Sequence, residues 1–159
     1  LPADDLAQAF SYYTQEVTQP AQSYPAEQIA GILPALAGEV HNLVELRTLL
    51  DRVLTVPTRC AKTLAAHCGD DAAMTKNILA AAHEQFAAND AVTALKNFKA
   101  WAKAEGVPFK MALGSVRYAL VGVLMGVGMG TLMQVFSSDE CGQRIAGMQE
   151  MIAKNKPSV

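Results

Sequence analysis

Between Arg117 and Asp139 the chain runs YALVGVLMGVGMGTLMQVFSS, residues 118–138, without a single charged side chain. No other feature restricts the fold so strongly. About 20 consecutive apolar residues suffice for a helix to cross a bilayer core. Gly122, Gly126 and Gly130 stand at the four-residue spacing that lets two membrane helices approach closely. The competing expectation is a pair of buried helical pieces broken by a glycine turn near 126–130. One reading makes a single-span membrane protein; the other makes this stretch the core of a helical domain.

The rest of the chain bears on that choice. Its 159 residues, 51% of them hydrophobic, are enough for one domain or two small subdomains with a sizeable core. A net charge of -2 and a pI near 5.9 exclude a generally basic nucleic-acid binder, so any such role needs a local basic face. Charge is unevenly spread. Residues 1–58 hold two basic and seven acidic side chains, 59–117 eight and five, and 118–159 three and three. The middle segment alone is suited to meet a polyanion. Cys60, Cys68 and Cys141 are odd in number and lack a CxxC pair, which predicts reduced thiols and a cytoplasmic location. Leu1 in place of an initiator methionine, with no basic segment preceding an apolar one, predicts a domain taken from a longer chain without a signal peptide.

Hydrophobic spacing predicts helices throughout. Leu6, Phe10, Tyr13 and Val17 repeat at three- and four-residue steps behind Pro2, Asp4 and Asp5, giving a helix that ends near Pro20. The prolines of TQPAQSYP make a connector, after which Pro25 opens a helix through Ile29, Leu33 and Leu36. Residues 41–56 form the clearest amphipathic helix, stopped by Pro57. Gly69-Asp70-Asp71 marks a loop and cap before an alanine-rich helix over 71–88, Asn89-Asp90 breaks it, and a further helix through Trp101 ends at Gly106. No run alternates as a strand does. The expected fold is all-α, in two helical subdomains: an N-terminal bundle over 1–106 and a C-terminal helix cage over 107–159.

Few residue patterns carry chemistry. Cys60, His67, Cys68 and His41 lack the two close ligand pairs of a zinc site. The three histidines offer no local base for a nucleophile, and no phosphate-cradling loop ends in Lys-Ser or Lys-Thr. Neither a catalytic residue nor a metal site is expected. Lys96, Lys99 and Lys103 project from one side of a helix, with Lys110 and Arg117 shortly beyond. They form either a solvated face or a phosphate-contacting stripe whose binding falls with salt.

The segment KMALGSVRYALVGVLMGVGMGTLMQVFSSDECGQRI, residues 110–145, resembles the C-terminal anticodon-binding domain of bacterial-type glutamyl-tRNA synthetases. Arg117, Ala119, Leu120, Gly122, Gly126, Asp139, Arg144 and Ile145 stand at that family's spacing without a gap. LPADDLAQAF, Arg47-Thr48-Leu49 with Asp51, and AVTALKNFKAWAKAEGV agree more loosely, so the likeness runs over nearly the whole chain. It departs at Val121 (threonine or serine in the family), Val127 (proline), Ser137 (glycine) and Glu45 (often arginine).

The resemblance implies a helical domain that grips the anticodon arm of glutamate tRNA, or of glutamine tRNA, as part of a glutamate-tRNA ligase. ATP and magnesium then belong to a catalytic domain whose His-x-Gly-His and Lys-Met-Ser-Lys-Ser signatures do not occur here, so the fragment alone needs no cofactor and should be inactive. Arg117, Arg47 and Arg52 are the candidates for stacking on anticodon bases, and Lys96, Lys99, Lys103 and Lys110 for holding phosphates. A monomer without membrane contact is expected. The alternatives are a small helical protein-interaction module without an RNA role, and the single membrane span through 118–138.

Overall fold

The computed structural model describes residues 4–9 and 26–154, and every ordered element among them is helical. The expected helix through Val17 and the TQPAQSYP connector lie mostly outside the described residues. The chain is all-α and divides into two compact units, Leu1–Leu54 and Thr55–Val159.

The first unit contains α1 (residues 4–9), α2 (Ala26–Leu36) and α3 (Leu43–Leu54). The amphipathic spacing read from α3 is realised: Leu46, Leu49, Leu50 and Val53 are buried, as are Leu33 and Leu36 of α2. The start of α3 is fixed locally. The Asn42 side-chain oxygen accepts from the Glu45 amide at 2.9 Å, and the Glu45 carboxylate accepts from the His41 amide at 2.8 Å. Two amides that lack intrahelical partners are thereby satisfied, in a variant of the capping box.

The second unit holds α4 (Ala61–His67), α5 (Ala72–Ala88), α6 (Ala91–Ala104), α7 (Phe109–Val121), α8 (Met129–Val135) and α9 (Ser138–Lys154). The helices on both sides of Gly106 lie in it. Asp71 caps α5 by accepting from the Met74 amide, and Asp90 caps α6 by accepting from the Thr93 amide, each at 2.9 Å. Asn89 and Asp90 thus end one helix and begin the next in two residues. α5 packs along α6 and α9, α7 lies against α5, α6 and α9, and α8 rests on α6. Ile78, Leu79 and Phe86 of α5, Phe98 of α6 and Leu120 of α7 are almost completely enclosed. Trp101 is half-buried and stacks on Phe98 with ring centroids 5.6 Å apart.

The uncharged stretch resolves into two pieces of helix. α7 ends at Val121, where Gly122 adopts φ 76°, a left-handed conformation that strains any residue with a β-carbon. Residues 122–128 form a loop and α8 begins at Met129. The break therefore starts at Gly122 rather than near 126–130, and Gly130 sits inside α8. Among the described residues no helix is long and apolar enough to cross a membrane, which overturns the single-span reading of 118–138.

Candidate nucleic-acid interface

The last carbonyls of a helix lack intrahelical donors and form the negative end of its dipole. At the end of α7 two arginines supply what is missing. Arg59 Nη1 donates to the Ala119 carbonyl at 2.8 Å and to the Arg144 carbonyl. Arg144 Nη1 donates to the Leu120 carbonyl at 2.6 Å, and its Nε donates to the Glu140 carboxylate at 2.8 Å. Arg144 is 3% exposed, and its guanidinium lies over the Phe136 ring, 4.5 Å from the centroid. Burial, followed by the charge of Arg144, holds the Arg59 guanidinium below the usual arginine range. Nearby, the Cys60 amide donates to the hydroxyl of buried Tyr118 at 2.6 Å, tying the chain ahead of α4 to α7.

A third arginine shapes the loop that follows. Arg117, half-buried one turn before the end of α7, donates from Nε to the Val127 carbonyl at 2.9 Å and from Nη1 to the Leu124 carbonyl at 2.8 Å. The two acceptors flank Met125 and Gly126, so the guanidinium pins both arms of the loop and projects its tip. Met125 is 71% exposed and Gly126 has φ 127°.

Beside this clamp lies a cavity of about 360 Å³ lined by His67, Lys110, Arg117 and Met125 among others, with half-exposed Phe109 at its edge. Gly114 makes room for the imidazole: a β-carbon there would lie 2.5 Å from His67 Nε2. That nitrogen is 3.2 Å from the Lys110 carbonyl, which can only accept, so Nε2 is the donor of this hydrogen bond. Two basic side chains, an imidazole, an aromatic ring and an exposed thioether thus face one recess. Unstacked bases are held by such a combination of ring faces, guanidinium planes and edge hydrogen bonds.

The structure brings Arg117 and Lys110 together at this recess. Lys96, Lys99 and Lys103 are exposed along α6, as a phosphate-contacting stripe requires. Arg47 and Arg52, both half-buried, lie on α3 in the first unit. Arg117 differs from a simple exposed stacking plane because at least two of its donors are committed to loop carbonyls. His67 joins the recess without a sequence signal, since long-range packing alone places α4 beside α7, whereas Phe109 and Met125 lie in the same segment as Lys110 and Arg117. Among the described residues no group of acidic, histidine or cysteine side chains could hold a metal ion. Cys68 is buried with its sulfur 3.4 Å from the Ser115 hydroxyl.

Residues 5–148 match the anticodon binding domain family. The chain belongs to that family. Neither a curated protein nor a solved structure matches it. The anticodon-binding domain is accordingly a tRNA-binding module of the kind that aminoacyl-tRNA synthetases carry. In this anticodon-binding domain, Arg117 frames the 122–128 loop. Val127 contributes a backbone carbonyl and a buried side chain. Because the contact is to backbone, any residue at 127 would supply the same carbonyl.

Proposed function

We propose that this domain is the tRNA-gripping part of a glutamate-tRNA ligase, and that the recess between α4, α7 and the 122–128 loop receives an unstacked base of the anticodon loop. The observation that carries this reading is the juxtaposition of Arg117, Lys110, His67, Phe109 and Met125 around one cavity in a member of the anticodon binding domain family. The glutamate assignment rests on the likeness over residues 110–145. Arg117 holds the loop, the ring faces accept a base, and Lys96, Lys99, Lys103 and Lys110 hold backbone phosphates. Arg47 and Arg52 belong to the same proposal as contacts made by the first unit. The domain acts as a monomer in the cytoplasm, and the parent enzyme's catalytic domain supplies the ATP and magnesium chemistry.

Binding of transcribed glutamate tRNA, glutamine tRNA and an unrelated tRNA across a salt series tests the proposal. Glutamate tRNA should bind most tightly, with an affinity that falls steeply as salt rises. Replacing its anticodon should weaken binding by roughly 1–3 kcal/mol, the range of one stacked base. Binding that is immeasurable at low salt, or indifferent to the anticodon, overturns the proposal. Equal affinity for glutamine tRNA removes the glutamate preference and leaves anticodon binding in place.

A further inference from the structure

A second cavity lies at the other end of α4. His67, the last residue of α4, lines the recess described above. Cys60, Ala61 and Lys62, at the start of α4, line a cavity of about 460 Å³ with Arg59, Met151 and Lys154. Seven residues at about 1.5 Å each separate the two by roughly 10 Å.

The second cavity is strongly positive. Among the described residues no carboxylate lines it, and neither Lys62 nor Lys154 takes part in an ion pair. Both lysines are exposed. Behind them Arg59 and Arg144 meet, and the nearby carboxylate, Glu140, is bonded to Arg144. The Arg59 Nε is buried and has no acceptor among the described residues. Repulsion between these cations is relieved most directly by an anion in the cavity. Lys62, Thr63 and Ala66 form the exposed side of α4 between its two ends, and the last two are small.

We infer that the cavity lined by Arg59, Lys62 and Lys154 holds a backbone phosphate of the same RNA strand whose base enters the His67–Arg117 recess, so that the strand runs along the exposed side of α4. This rests on the tRNA-binding reading above. Lys62 and Lys154 neutralise the phosphodiester from the solvent side, and Arg59 sets the potential from within. A phosphate contact carries no sequence information; it fixes register, so that the neighbouring base meets its recess.

Glutamate tRNA binding by the full chain, measured across a salt series, tests this with the double variant Lys62→Gln/Lys154→Gln. Each phosphate contact to a single strand contributes about 0.7 to the slope of log K against log salt. Lys62 and Lys154 share one phosphate, so the double variant should lose about 0.7 from that slope, whereas Lys76→Gln on α5 should lose nothing. The exposed thiol of Cys60 gives an independent readout. Saturating tRNA should slow its alkylation by iodoacetamide severalfold in the wild type and not in the double variant.

A double variant that binds tRNA with unchanged slope, or wild-type Cys60 that stays unprotected when tRNA is bound, overturns the phosphate site and leaves the tRNA reading standing. Absence of any tRNA binding by the wild type overturns both. Protection of Cys60 by inorganic phosphate at matched ionic strength, as strong as that by tRNA, would show a site for free anions and overturn its assignment to the RNA backbone.

Discussion

At the scale of single residues, glycines and cysteines report most directly on how the site is built. Gly122 closes α7 at φ 76°, and a β-carbon there would sit 3.0 Å from both the Pro57 Cβ and the Thr58 carbonyl. Gly122→Ala should therefore cost about 2 kcal/mol or more, read as a lower urea midpoint with unchanged slope. Gly114 acts differently, since its φ is ordinary and the obstruction is the tip of the His67 ring. Gly114→Ala should keep the helical content and displace the imidazole, weakening tRNA roughly tenfold, about 1.4 kcal/mol. The cysteines should separate cleanly under iodoacetamide near neutral pH. Amides of Thr63 and Lys62 pull the exposed Cys60 thiol below its ordinary range, whereas burial pushes Cys141 up to about 12. Mass spectrometry of the native chain should find Cys60 labelled first and Cys141 unlabelled until the chain unfolds.

At the scale of elements, α7 is where sequence and structure diverge in an instructive way. The boundaries of α5 and α6 were legible, because Asp71, Asn89-Asp90 and Gly106 are local punctuation whose effect needs no distant partner. The membrane reading of 118–138 arose from composition alone. It fails because Gly122 adopts a conformation that ends a helix, a property that hydropathy does not register. What no local pattern could show is the pair of arginines on the carbonyls of Ala119 and Leu120, supplied from 60 and 24 residues away. Arg144 stood out in the sequence only through family resemblance, and Arg59 did not stand out at all. Arg144→Met should leave the Leu120 carbonyl without this donor and Glu140 without its partner. A loss of about 1–3 kcal/mol is expected for the buried Leu120 carbonyl left without this donor, since Glu140 is 39% exposed and can be solvated, measured by chemical denaturation. Glu140→Gln, which keeps an acceptor in place, should cost less.

At the scale of the whole molecule, all-α architecture was readable from periodicity because long amphipathic repeats and missing strand patterns agree everywhere. The recess was readable only in part: Arg117 and Lys110 came from charge and resemblance, Phe109 and Met125 lie in the same segment without a charge or motif to mark them, and His67 required the packing of α4 on α7. The second unit, Thr55–Val159, has its own core around Phe86 and Phe98. Expressed alone, it should melt in one cooperative transition, and Phe98→Ala within it should cost about 3–5 kcal/mol. A broad, non-cooperative melt would show that this core does not suffice by itself.

The clamp made by Arg117 has a consequence for how such a domain diverges. Its two hydrogen bonds end on backbone carbonyls of Leu124 and Val127, groups that every residue possesses. The shape of the loop is therefore nearly independent of the side chains at positions 123–125, which are half-buried or exposed. Those positions can be exchanged while the frame persists, so under the base-binding role proposed for the recess, preference for one base over another can drift by substitution at the tip without rebuilding the helices that hold it.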